Sequence, residues 1–223
     1  MKPIPTGVVW RRWVIVNSLG ELLGLGATLA LGATLFSSVT DAQGTGPALL
    51  TALLMTATGA LEGLIVGWAQ WSVLRYAVAG ITRRSWVVAT IVGAILAWML
   101  GSIPMTVAGL SGASASAVAE EPPQALVLIL AAALGLGAGL ILSVAQWRVL
   151  KGHVNRAWRW LPANALAWAA GMPLIFAGID LAQKVDQPFY AILAIGSIIA
   201  IAGALVGAIH GVALIAFIPN GGD

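Results

Sequence analysis

Six stretches of roughly 20 or more consecutive, predominantly apolar residues run through this chain, and each is long enough to cross about 30 Å of hydrocarbon as a helix. They fall near 13–36, 48–74, 86–109, 124–150, 160–179 and 189–218. With 60% of its residues hydrophobic and 9% charged, the chain has the composition of an integral membrane protein. Because lipid offers no partner to a free amide or carbonyl, stretches of this length must be helices. The expectation is one all-α transmembrane domain spanning 1–223. Pro47, Pro123 and Pro188 stand before the even-numbered stretches, at helix starts where no amide donor is needed.

The bases report orientation. Lys2, Arg11, Arg12, Arg75, Arg83, Arg84, Arg148, Lys151, Arg156 and Arg159 all fall on one side of the six spans, and only Lys184 falls on the other, with Asp41, Glu120, Glu121, Asp180 and Asp186. By the positive-inside rule both termini are cytoplasmic. The first apolar run is about twice the length of a signal-peptide core, so it is read as the first span. No loop is long enough for a soluble domain, and nothing suggests a nucleic-acid partner. The chain has no cysteine, which excludes disulfides, thiolate metal sites and thiol catalysis.

The spans repeat. GLIVGWAQWSVLR at 63–75 and GLILSVAQWRVLK at 139–151 match in register, and GALVGAIHGVAL at 203–214 fits the same frame with His210 in the glutamine position. Small residues recur every four positions at Gly59, Gly63 and Gly67, at Gly135, Gly139 and Ser143, and at Gly203, Gly207 and Gly211. Such a stripe lies on one helix face and admits a neighbouring backbone closely. In the odd spans, Trp13, Asn17, Glu21 and Gly24 share the spacing of Trp160, Asn164, Trp168 and Gly171; Trp86, Thr90, Ala94, Trp98 and Gly101 fit with one inserted turn. The unit is a two-helix hairpin of about 70 residues, present at approximately 10–76, 83–152 and 156–218. Three parallel copies predict a pseudo-threefold six-helix bundle.

The Gln-Trp-x-Val-Leu-Arg/Lys ending on a Gly-x-x-x-Gly helix resembles that of bacterial multi-pass membrane proteins with repeated Gln-Trp hairpins, a group without an established activity. The resemblance runs from Trp13 to about Leu214, with His210-Gly211 standing where Gln-Trp stands in the other copies. It implies a bacterial cytoplasmic or intracytoplasmic membrane.

Asn17, Gln70, Thr90, Gln146 and Asn164 each lie five or six residues inside the bases, roughly 7 to 9 Å deep, and His210 lies near that level. They form one expected polar layer, paired within hairpins as Asn17 with Gln70, Thr90 with Gln146 and Asn164 with His210. Two chemistries suit it. The side chains can pin helix register by hydrogen bonds, or they can hold a chlorophyll-type pigment, a quinone or a lipid head group; neither requires a cofactor elsewhere. Glu21 and Glu62 are intramembrane acids that must be paired, protonated or wetted, and both are expected to face the bundle. Trp10, Trp13, Trp71, Trp86, Trp147, Trp158 and Trp160 read as an interfacial aromatic belt, with Trp68, Trp98 and Trp168 deeper. "GLGAGL" lies inside an apolar span without a preceding strand, so it is not a dinucleotide loop.

No nucleophile is paired with a base, and an enzyme is not expected. The sequence points to a non-catalytic accessory or scaffold subunit of a larger, bioenergetic membrane complex, in contact with lipids and partner transmembrane subunits. The alternatives are a pigment- or lipid-cofactor-binding subunit and a small proton- or cation-coupled transporter.

Overall fold

The computed structural model describes residues 5–36, 45–110 and 122–218. Its elements are α1 (Thr6–Phe36), α2 (Thr45–Ala77), α3 (Arg83–Leu110), α4 (Gln124–Leu150), a 3-10 turn (Ala157–Arg159), α5 (Trp160–Gln183) and α6 (Pro188–Ile215). All six helices are long and apolar enough to cross a membrane. The helices overrun the expected spans by up to seven residues, most at the start of α1, whereas α6 ends three residues short of its expected end. Pro188 occupies the first turn of α6 and Pro123 flanks α4, whereas Pro47 is the third residue of α2. Lys2, Asp41, Glu120 and Glu121 lie outside the described residues.

Each helix packs on its neighbours in the chain, and α6 returns to pack on α1, so the contacts run round a closed ring. Glycines show how. A Cβ at Gly63 would lie 2.7 Å from Ile91 Cα, and one at Gly67 would lie 3.2 Å from Val87 Cα, so the α2 stripe seats on α3. A Cβ at Gly139 would lie 2.6 Å from the Asn164 carbonyl oxygen and 3.1 Å from Ala165 Cα, which seats α4 on α5. At Gly207 it would lie 3.1 Å from Val14 Cα, and at Gly203 2.8 Å from the Asn17 carbonyl oxygen, which seats α6 on α1. The small-residue seams therefore join one expected hairpin to the next, instead of joining the two helices within a hairpin. Within hairpins most of the contacting glycines belong to the odd helices: Gly20 and Gly24 meet α2, Gly93 meets Leu142, and Gly171 and Gly178 meet Val206 and Ile198, with Gly137 of α4 against Leu100 the exception. In lipid, close backbone approach is a main source of helix association, because apolar side chains gain little by leaving the bilayer.

The seams at the basic end are closed by short connections. Gly80 has φ +83°, a conformation that favours glycine, and it brings the α2–α3 turn against His153 in the α4–α5 connection. Between these connections and the polar residues lies an apolar cluster that includes Leu74, Val78, Trp86, Leu150, Trp160 and Leu214. A second cluster, with Leu25, Ala167, Trp168, Ile175, Ile199 and Val206, fills the space among α1, α5 and α6 towards the opposite end.

Candidate functional site: a buried tryptophan and amide layer

Asn17, Gln70, Thr90, Gln146, Asn164 and His210 are all buried, none more than 3% exposed. They meet where the sequence places them. Gln146 stands at the centre: its Nε2 donates to Gln70 Oε1 (3.2 Å) and Thr90 Oγ1 (3.1 Å), and its Oε1 accepts from Trp160 Nε1 (2.9 Å) and Asn164 Nδ2 (3.2 Å). That is the full bonding capacity of a carboxamide. Gln70 donates from Nε2 to Asn17 Oδ1 (2.9 Å) and accepts at Oε1 from Trp86 Nε1 (3.2 Å). Asn17 and Thr90 each donate back to the carbonyl one turn earlier, those of Trp13 and Trp86. His210 Nδ1 accepts from Trp13 Nε1 at 2.8 Å, which leaves the proton of a neutral ring on Nε2.

Two of the three expected pairings are therefore present, Asn17 with Gln70 and Thr90 with Gln146. In place of the third, Asn164 donates to Gln146, and Asn164 Oδ1 is buried without a partner. His210 has accepted an indole N–H, so it cannot offer Nδ1 to a metal at the same time.

The tryptophans carry the largest correction. Trp13, Trp86 and Trp160 are fully buried, not interfacial anchors. Each occupies the first half of an odd helix and donates its indole N–H to the glutamine or histidine of the even helix that precedes it round the ring: Trp86 to Gln70, Trp160 to Gln146 and Trp13 to His210. Their rings also meet edge-on at about 6 Å, Trp13 with Trp160 and Trp86 with Trp160, and the His210 ring lies 5.2 Å from that of Trp160. A signal for this was available, since all three stand four residues before a polar layer residue, at Asn17, Thr90 and Asn164. Bilayer anchors have no reason to repeat at that spacing.

The divergence of the third copy has a steric cause. A Cβ at Gly211 would lie 2.9 Å from Trp13 Cδ1 and 3.1 Å from Trp10 Cδ1, so the tryptophan found at 71 and 147 cannot stand there. Trp10 takes that space and donates to the Ala208 carbonyl. Trp71 and Trp147 stay at the edge, beneath Arg75 and Lys151 respectively, and Trp158 is exposed, as a belt requires. Trp68, expected deeper, is instead half exposed beneath Arg83. In α3 the match of Trp86, Thr90 and Ala94 to the other odd helices needs no inserted turn: Gly63 meets Thr90 and Ala94 as Gly203 meets Asn17 and Glu21. Gly101, the residue that called for the insertion, contacts nothing with its vacant Cβ position.

The acids lie further from the basic end on the same helices, Glu21 one turn beyond Asn17 in α1 and Glu62 two turns beyond Gln70 in α2. Glu62 Oε2 accepts from Trp98 Nε1 at 2.8 Å, and Glu62 packs on Gly24 of α1. Glu21 is 4% exposed, its stem lies against Gly203, and its Oε2 has no partner. Among the described residues no group of three or more His, Asp or Glu side chains is placed to hold a metal ion. His153 is exposed and its Nδ1 lies 2.9 Å from the Val149 carbonyl oxygen.

The fold and this layer define a multi-pass helical membrane protein whose helices are held at one end by an internally bonded tryptophan and amide network. The chain matches no family model, and no curated protein or solved structure is significantly similar to it.

Proposed function

We propose that the chain is a non-catalytic accessory or scaffold subunit of a larger membrane complex, a pseudo-threefold ring of three repeated hairpins in a bacterial cytoplasmic membrane with its basic end inside. The observation that carries this reading is the mutual bonding of the layer. Gln146 has its four partners within the protein, Gln70 has three, and the rings of Trp13 and Trp160 occupy the space beside His210 that a pigment would need. An interior filled in this way directs interaction to the outer surface, which presents Leu, Ile and Val to lipid or partner helices.

The test is gentle extraction from the native membrane, with photo-crosslinking residues placed at exposed apolar positions such as Leu23, Leu53, Ile129 and Ile192. A discrete set of transmembrane adducts from one or two of these positions, in a colourless complex of fixed stoichiometry, is the expected result. Lipid adducts alone at every position, or a visible absorbance band that survives purification, would remove the reading. A second reading, a proton- or cation-coupled path, has one observation in its favour: the buried, unpartnered oxygen of Glu21. Under the scaffold reading Glu21→Gln leaves assembly intact and proteoliposomes show no ion flux with either residue; a flux abolished by this change would favour the path.

A further inference from the structure

We propose that Arg75 and Arg83, held over the indoles of Trp68 and Trp71, form a site for the phosphodiester head group of one anionic phospholipid at the α2–α3 edge. Arg83 lies over Trp68 at 4.4 Å and over Trp71 at 5.8 Å; Arg75 lies over Trp71 at 5.1 Å and over Tyr76 at 4.5 Å, and donates from Nη2 to Tyr76 Oη. Two guanidiniums thus converge on one indole. Among the described residues the single ion pair is Lys184 with Asp180 at the opposite end, so neither arginine has a carboxylate to offset the repulsion between them.

Stacking fixes each guanidinium plane while leaving most of its five N–H donors free, and such a planar fork matches phosphate oxygens. Arg83 opens α3, where the helix dipole adds further positive potential. The site continues into an apolar strip: Trp68 is 51% exposed, and Leu64, one turn towards the membrane interior on the same helix face, is 42% exposed. A head group on the arginines would lay its acyl chain along Trp68 and Leu64, which a free phosphate could not use. The paired stacking is not repeated: at the corresponding edge of α4, which carries Arg148 and Lys151, Lys151 alone lies over an indole among the described residues, that of Trp147.

The full chain in a zwitterionic detergent, titrated with phosphatidylglycerol or phosphatidylcholine and read by native mass spectrometry, tests the proposal. One phosphatidylglycerol should bind about tenfold more tightly than phosphatidylcholine, given two bases at the head group. The R75A/R83A double variant should lose that preference. R156A/R159A, which removes the same charge from the α4–α5 connection, should keep it to within about twofold. Both double variants have exposed side chains replaced, and unchanged thermal stability without added lipid verifies that they fold. Equal losses in the two variants would mean diffuse charge and would overturn the site, as would no preference in the parent protein. Displacement of the lipid by inorganic phosphate at equal concentration would also overturn it, in favour of a free-anion site.

Discussion

The half of the ring at the basic end and the half at the opposite end are made of the same six apolar helices, but they are held together differently. At the basic end Trp13, Trp86, Trp160, Leu74, Leu150 and Leu214 are fully enclosed around the amide layer. Towards the other end α2 has no buried residue before Thr58, α4 none before Ala131 and α6 none before Ile199. Hydrophobicity does not make this difference, since Leu53, Ile129 and Ile192 are as apolar as anything inside. What changes is whether glycines and hydrogen-bonding side chains meet another helix: Gly63, Gly139, Gly207 and Gln146 do, whereas Gly26, Gly46 and Gly101 face open space and Thr56 and Thr106 bond back to their own helices. In a bilayer such contacts drive association, whereas leucine is as well accommodated by lipid as by another helix.

The contrast breaks most directly at the seams. Gly139→Leu forces a side chain into the Asn164 backbone and should cost about 3 kcal/mol or more in detergent unfolding, and Gly63→Leu similarly against Ile91. The control is Gly101→Leu in α3, where an added Cβ meets nothing; it should stay within about 0.5 kcal/mol. Equal losses at Gly139 and Gly101 would mean that the seam is not what holds the helices. A smaller effect, about 2 kcal/mol, is expected for Gln146→Leu, because Trp160, Asn164, Gln70 and Thr90 each lose a partner at a membrane value of about 0.6 kcal/mol per bond. Retained stability in that variant would remove the register-pin role.

His210→Gln sharpens the comparison among the three copies. A glutamine oxygen can accept from Trp13 and its amide can donate to the orphaned Asn164 Oδ1, so stability should change by less than about 1 kcal/mol and in the favourable direction. A large loss would show that the imidazole has a role that glutamine cannot fill. The smallest effect belongs to the open half: Leu53→Ala and Ile129→Ala, both exposed to lipid, should each shift stability by under about 0.5 kcal/mol.

Much of this architecture is legible in the sequence. Span length and apolarity locate all six helices, and the recurrence of Gly63, Gly139 and Gly203 marks the faces that pack. Depth below the bases brings Asn17, Gln70, Thr90, Gln146 and Asn164 together correctly, since helical rise is fixed per residue. What the chain does not reveal is which neighbour each face meets. A glycine stripe is silent about its partner, so the hairpin joined by an outer loop looks like the packing unit when the tight seams run to the next hairpin. Trp13, Trp86 and Trp160 are misread for a similar reason: an indole near the bases suits an interface as well as a core, and only its hydrogen-bond acceptor tells them apart.

Ring closure is the central feature of the fold: α6 seats on α1 as α2 seats on α3, although residues 14 and 207 stand at opposite ends of the chain. Because the chain has no cysteine, pairs can be introduced without background. The Cβ position of Gly207 lies 3.1 Å from Val14 Cα and 2.8 Å from Asn17 Cβ, and that of Gly67 lies 3.2 Å from Val87 Cα and 3.0 Å from Thr90 Cβ. Both pairs are close enough for a disulfide and both require a comparable local shift of the seam, which makes each the control for the other. Mild oxidation of V14C/G207C and of V87C/G67C in native membranes, read by the mobility of the intact chain and by mass spectrometry of its peptides, should give similar yields of the internal crosslink. Efficient crosslinking of 67 with 87 but none of 14 with 207 would leave an open arc of helices in place of a ring.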